Sequence, residues 1–423
     1  MPTALTFTRT SPLPVSAADA FAWHERPGAF ERLCPPWERI DVIARKGGIE
    51  DGAWLMLEHW IGPCWLTMEA EHFGFVANRE FNDRLVRGPF ARWEHCHRFT
   101  NTPENTGSVL SDGIVHALPG GAAGNALGGK IVGKKLSRLF AYRHAVTAAD
   151  LSLWKRWAHR PRLRVLVTGS TGLVGRALCA LLTTQGHEVL RLVRGVPVAP
   201  DEVVLGRLGE AGRIDAVVHL AGENIAGGRW TAARRRRILE SRVEGTRALV
   251  AALGALPERP SVLIGSSAVG YYGDRGEVRC AEGEPAGRGF LSEVCRVWEH
   301  ETRAAEVLGV RTVQLRTGVV LTPAGGALKK LLPVFRAGLG GRLGDGRMWM
   351  SWISIDDLVG VIAQALVDET LSGPVNAVAP HPVTNNVVLT FSEEQQADYF
   401  RIFGEETKKR NIFVYVYMDK DGP

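Results

Sequence analysis

Cysteine is scarce and dispersed: six residues, Cys34, Cys64, Cys96, Cys179, Cys280 and Cys295, are spread over 423 positions with no Cys-x-x-Cys pair. That pattern excludes a dense disulfide framework and fits a reducing compartment. Long apolar runs are missing too. No stretch approaches the ~18 residues that a membrane-spanning helix requires. The opening MPTALTFTRTSPLPV has no apolar core behind a basic start, so no secretory leader is expected and a cytoplasmic protein is. Internal repeats and low-complexity tracts are absent. Charge is not strongly one-sided: a net +6, with 45% hydrophobic and 23% charged residues, describes an ordinary folded chain. So mild an excess suits an anionic cofactor as well as a nucleic acid and decides nothing alone.

A chain of this length suggests two or three domains, and its periodicity changes once. Up to about residue 160 the pattern is short alternating runs, such as AWLMLEHW (53–60), WLTMEA (65–70) and RWEHCHRF (92–99). Such runs read as antiparallel strands with one buried face. One helix starts near Ser16 as N-cap and runs through Trp23, and another spans about Asn125 to Tyr142. Residues 152–161, ending in Pro161, look like a junction. Beyond them apolar strands alternate with helices: Val165–Thr168, a helix to Gln185, Val189–Val193, Ala216–Leu220, a basic helix, Val262–Ser266, a helix around Val294–Leu308, and Val313–Leu315. Continuous apolar strands between helices mark a parallel sheet covered on both faces. The expected fold class is therefore α/β, a Rossmann-type doubly wound parallel sheet preceded by an α+β domain. The expected divisions are 1–155, 162–385 and an atypical tail, 386–423.

The strand RVLVT is followed by Gly169, Gly172 and Gly175. The first glycine permits a tight strand-to-helix turn, the second lets a pyrophosphate approach the backbone, and the third lets helix and strand pack closely. The helix N-terminus then offers free N–H groups and its positive dipole end to phosphates. The next strand ends in Arg194 where an acidic residue would hold the ribose 2′-hydroxyl of NAD. An arginine suits a 2′-phosphate. NADP(H) is the expected cofactor, with NAD less favoured.

From Arg162 to Asn385 the chain resembles the extended short-chain dehydrogenase/reductases, and more closely their atypical epimerase-like branch. The matching blocks are TGSTGLVG (168–175), HLAGENIAGGRW (219–230), SRVEGTRALV (241–250), SSAVGYYGD (266–274), LRTGVVL (315–321), MSWISIDDLVG (350–360) and GPVNAVAPHPVTN (373–385). The resemblance implies a phosphate loop of Gly169, Thr171, Gly172, Leu173, Val174 and Gly175. It also implies a ribose-side strand end at Leu220, Ala221 and Gly222, and a nicotinamide-side Thr317. Residues 4–150 resemble the START-like helix-grip superfamily in element order and in the WEHCHRF strand. That implies a cavity for a small, apolar ligand, and some members of the reductase branch carry such a domain.

One departure matters. These reductases use a Tyr-x-x-x-Lys acid/base pair, and the aligned positions here are Leu291 and Cys295, with Ala268 at the usual Ser/Thr site. Ser267 and Tyr272 are the catalytic candidates, with Tyr271, Glu223 and Asn224 as further replacements. Tyr272 has a second reading as a ring packed below the cofactor, and Glu223 as a turn residue. Two functions stand open: an NADP(H)-dependent oxidoreductase or epimerase with a non-standard site, or an NADP(H)-holding regulatory protein that does not turn over.

Other signals point to structure. His95 and His97 share a strand face, but no third ligand stands at a recognisable spacing, so no metal is assigned. Arg234–Arg237 wrap around a helix with no interleaved aromatics, so no nucleic-acid partner is expected. Asp356 and Asp357 fit a helix N-terminus. In the tail, Ile412–Tyr417 forms a strong strand pattern of no assigned role.

Overall fold

The computed structural model describes residues 4–61, 64–337, 339, 341 and 345–384; the 386–423 tail and its expected strand lie outside the described residues. The chain divides into two compact units, one of Met1–His159 with Thr183–Gly186, the other of Arg160–Leu182 with His187 onward.

The first unit contains β1 (Leu5–Leu13), α1 (Ala17–Glu25), α2 (Ala29–Leu33), β2 (Ile40–Lys46), β3 (Trp54–Ile61), β4 (Cys64–Val76), β5 (Glu80–Arg87), β6 (Arg92–Asn101), β7 (Ser108–Ala117) and α3 (Gly121–Trp157). Its strands form one antiparallel sheet in the order β1-β7-β6-β5-β4-β3-β2. Alternation is plainest in β7, where every second residue from Ser108 to His116 is buried. The inner face carries Phe81, Phe99 and Leu110 against Phe21 and Trp23 of α1. Ser16 caps α1 by accepting from the Asp19 N–H, as its position predicts.

α3 is longer than its sequence suggested. Leu136, Phe140, His144, Thr147 and Leu151 recur every three or four residues on one buried face. That face continues to Trp154, which packs against the same core as Leu151, so the Trp–Lys–Arg stretch that looked like a junction is the helix's last turn. Buried Arg32 of α2 grips Asp150 of α3 with two parallel hydrogen bonds, 2.9 and 2.7 Å long.

The second unit contains β8 (Arg164–Thr168), α4 (Leu173–Thr184), β9 (Glu188–Val193), β10 (Glu202–Val204), β11 (Ala216–His219), α5 (Ala232–Gly254), β12 (Val262–Ala268), α6 (Phe290–Arg303), β13 (Arg311–Thr317), β14 (Val319–Thr322), α7 (Gly326–Arg336), β15 (Trp349–Met350), β16 (Trp352–Ser354), α8 (Ile355–Val367), β17 (Gly373–Ala377) and β18 (Val383–Thr384). Its main sheet is wholly parallel, in the order β10-β9-β8-β11-β12-β13-β17. The doubly wound α/β expectation holds. Leu166, Val217 and Leu263 are fully buried in one core with Leu249 and Leu253 of α5. Connections run one way from β8 through β10 and the other way from β11, so the order reverses between β8 and β11. Ligands of open parallel sheets bind at such a reversal, outside the carboxyl ends of the strands. Ser354 caps α8, accepting from the Asp357 N–H, so this acidic pair serves the helix start. No helix among the described residues is long and apolar enough to cross a membrane.

Removing one partner of a buried ion pair strands the other charge, at a cost of about 3–5 kcal/mol. Asp150→Asn is therefore expected to lower the stability of the full chain by about that much in denaturant titration. Arg45→Ala, which breaks an exposed pair with Glu31, is expected to change it by under ~1 kcal/mol.

Candidate functional site

The turn after β8 is built by backbone crowding. Gly169 has φ +68°, and a Cβ there would lie 2.9 Å from the Ala221 nitrogen and the Leu220 carbonyl carbon. A Cβ on Gly175 would lie 2.2 Å from the Gly169 carbonyl oxygen, so the first turn of α4 sits directly on the strand end. Gly172 is exposed and closes the turn through its N–H to the Gly169 carbonyl, 2.9 Å. Thr171 is also exposed, while Leu173 and Val174 open α4 with N–H groups that have no carbonyl one turn earlier. The Leu173 side chain reaches towards Gly325, where a Cβ would meet it at 2.8 Å.

Across the reversal, β11 ends beside this turn. Thr168 Oγ accepts from the Ala221 N–H at 3.1 Å and lies 2.7 Å from His219 Nδ1. The other nitrogen of His219 meets Thr246 at 3.0 Å. Burial drives His219 down to about 4, so the ring is neutral and joins β8, β11 and α5 without charge. Leu220 and Ala221 thus lie against the glycine turn, with Gly222 next in the chain, and Thr317 lies at the carboxyl end of β13, in register with Ala268 and Ala377.

Arg194 follows β9, exposed, with no ion pair among the described residues. The nearby carboxylates are engaged elsewhere: Asp201 and Glu202 both pair with Arg191. This strand end therefore presents a positive charge and no free acid.

Ser267 and Tyr272 lie deeper. Ser267 Oγ donates to Glu299 at 2.7 Å, and Glu299 takes a bidentate pair from Arg316, 2.9 Å at each oxygen. Arg316 Nη1 also donates to the Tyr272 hydroxyl at 2.9 Å, which in turn donates to Asn376 Oδ1 at 2.7 Å. Asn376 holds the Cys280 carbonyl and the Glu282 carboxylate, and Arg316 holds the Glu282 carbonyl. Glu299 is fully buried and Arg316 nearly so. Burial pushes the Tyr272 phenol above its usual range although Arg316 and Asn376 oppose the shift. Both candidate hydroxyls thus have their protons committed inside a chain that ties β12, α6, β13 and β17 together. Tyr271 is half-buried, with the Arg316 guanidinium 3.5 Å from its ring centroid.

Leu291 and Cys295 sit one turn apart on α6. Leu291 packs beside Gly270, and burial pushes the Cys295 thiol up although Ser267 opposes it. Arg242 of α5, not singled out from sequence, lies on this side. It donates to the Glu223 and Ile238 carbonyls, and its guanidinium lies 4.8 Å over the Trp298 ring. A Cβ on Gly222 would lie 3.2 Å from Arg242 Cζ, so the glycine makes room for the charge. Glu223 donates its N–H to Ser241, and the Asn224 side chain accepts from the Ala226 N–H, as turn residues do. Arg235–Arg237 are exposed along α5, a solvated helix face.

His95 and His97 are buried in the first unit, and the fold brings Asp83, Asp112 and His144 to them. Burial would lower His95, but Asp83 and Asp112 overcome it and push it up to about 9.

The sequence pattern of the NAD dependent epimerase/dehydratase family matches residues 165–377. The crystal structure of a nucleoside-diphosphate sugar epimerase from Corynebacterium glutamicum superposes with a TM-score of 0.79 at 33% identity, covering 97% of this chain and 88% of that one. An epimerase family protein of Mycobacterium bovis is 44% identical over 229 residues, 52% of this chain and 75% of the relative. The human epimerase family protein SDR39U1 is 38% identical over 230 residues, 53% of this chain and 77% of the relative.

Breaking the buried pair with Glu299→Gln is expected to cost about 3–5 kcal/mol. Tyr272→Phe leaves Arg316 its other partners and is expected to cost about 1–2 kcal/mol. Denaturant unfolding of the two variants checks the order; equal costs would contradict it.

Proposed function

The chain belongs to the NAD dependent epimerase/dehydratase family, and from that premise we propose that it binds NADP(H) at the turn between β8 and α4. Thr171, Leu173 and Val174 offer their N–H groups to the pyrophosphate, Arg194 takes the 2′-phosphate, and Leu220–Gly222 and Thr317 line the ribose and nicotinamide sides. When bound, the cofactor supplies hydride transfer. The observation that carries the reading is the pair of glycine contacts at 169 and 175 at the sheet's reversal, with an unpaired arginine at the next strand end. These residues fit the cofactor: the turn is so close to the backbone around it that a Cβ at 169 or 175 would collide, and the N-terminus of α4 opens on it.

The reaction we assign is an oxidoreductase or epimerase step with non-standard proton transfer. Leucine at 291 transfers no proton, and the cysteine at 295 is kept neutral by burial. Arg242 supplies a fixed positive charge on that side of the crevice. Ser267 and Tyr272, expected as acid/base groups, are assigned to positioning, because their protons are held by Glu299 and Asn376 inside the buried network. Tyr271 and Glu223 remain the proton-transfer candidates. The Corynebacterium glutamicum relative makes nucleoside-diphosphate sugars the first substrates to test. The same network favours a second reading, in which the chain holds NADP(H) without turnover. We further propose that the first unit, a curved antiparallel sheet against a long helix, is START-like and takes a small apolar ligand.

Fluorescence titration with NADPH and NADH tests the cofactor claim. NADPH is expected to bind more tightly, and Arg194→Ala to weaken it by about tenfold or more while leaving NADH unchanged. A preference for NADH removes the role given to Arg194, and binding of neither removes the proposal. Turnover of a carbonyl or nucleotide-sugar panel, lost in Tyr271→Phe or Glu223→Gln, selects the enzyme; tight binding with no turnover selects the holding protein.

A further inference from the structure

The inner face of the first unit carries a cluster of ionisable side chains that the nucleotide chemistry does not use. Register builds it. Asp83 on β5 lies opposite His95 on β6, and His97 lies opposite Asp112 on β7. Side chains of a strand alternate between faces, so these four share one face, and α3 brings His144 onto it. His95 stands between the carboxylates, with Nδ1 3.0 Å from Asp83 and Nε2 3.1 Å from Asp112. His144 Nε2 lies 2.6 Å from the second oxygen of Asp112. His97 Nε2 is 3.8 Å from Asp83. Its Nδ1 is 2.6 Å from Asp112 Oδ1 yet has no partner in hydrogen-bond direction.

Two buried carboxylates call for positive charge, which in the absence of an ion only the histidines of the cluster can supply, His95 lying on both of them. Among the described residues neither Asp83 nor Asp112 pairs with an arginine or lysine, not even with Arg9, the register partner of Asp112 on β1. We propose that the first unit binds one divalent transition-metal ion of the zinc or iron class, held by Asp83, His95 and His97 and steadied by Asp112. Donor atoms of the three ligands all lie within 4.8 Å of one another. Two imidazoles and one carboxylate suit zinc or iron(II), whereas magnesium and calcium select oxygen sets. Metal-bound histidines are oriented by a carboxylate on the other ring nitrogen, and Asp112 touches His95 and His97 while being fixed by His144. Phe81 stacks on His97 at 4.2 Å and Phe140 meets His95 edge-on at 5.2 Å, so the site is walled by apolar rings.

The test uses the untagged full chain, purified from zinc- and iron-supplemented cells, with metal content measured by mass spectrometry. Chelated protein is then titrated with Co²⁺, whose visible d–d bands report nitrogen and oxygen ligands. The expected result is about one ion per chain, Co²⁺ bands, and a Tm that falls on chelation. Asp83→Asn and His97→Gln lose the ion. His116→Ala, a buried histidine of the same face packed on Phe90 and Trp93, keeps it and so controls for general damage to the unit. A metal-free wild type without Co²⁺ bands, full metal in Asp83→Asn and His97→Gln, or equal loss in His116→Ala would each overturn the proposal.

Discussion

The second unit depends on one close approach, the seating of the first turn of α4 on the end of β8. With the Gly169 carbonyl 2.2 Å from where a Cβ of residue 175 would be, no side chain fits between helix and strand. Everything useful about the crevice follows. The N–H groups at the start of α4 open on the turn, the helix dipole adds to them, and the end of β11 closes in from the other side through Thr168 and His219. Neutrality of His219 matters here, since it joins three elements behind the turn without adding charge to the site.

Around this seat the sheet is tied off by the Glu299–Arg316 pair. A buried ion pair adds little to stability over apolar packing, but it is costly to break. Its partners come from β12, α6, β13 and β17, so it ties the carboxyl-end region of those strands together. The same network takes up the hydroxyls of Ser267 and Tyr272, a serine and a tyrosine that look reactive in the sequence.

Local pattern carried the architecture well, because parallel strands buried on both faces read as unbroken apolar runs: Arg164–Thr168 and Ala216–His219 stood out for that reason. The glycine turn was equally readable, since each glycine answers a local steric demand. Partnerships across the fold were hidden. Glu299 and Arg316 are 17 residues apart, and nothing in either segment says they meet. Arg242 sat inside a recognised block without any local reason to single it out. His95 and His97 could be placed on one face by alternation alone, but Asp83 reaches them only through the β5–β6 register and His144 only through the packing of α3. The end of α3 was misjudged because its charged last turn resembled a linker, while its buried stripe continued underneath.

The central claim is that the β8–α4 turn is where the nicotinamide dinucleotide binds. Hydrogen–deuterium exchange of the full chain with and without NADPH tests it most directly. Slowed exchange is expected of the amides from Gly169 to Arg176 and of Leu220–Gly222, with little change in the β1–β7 sheet. Unchanged exchange at Gly169–Arg176 under saturating NADPH, or protection confined to the first unit, would contradict it.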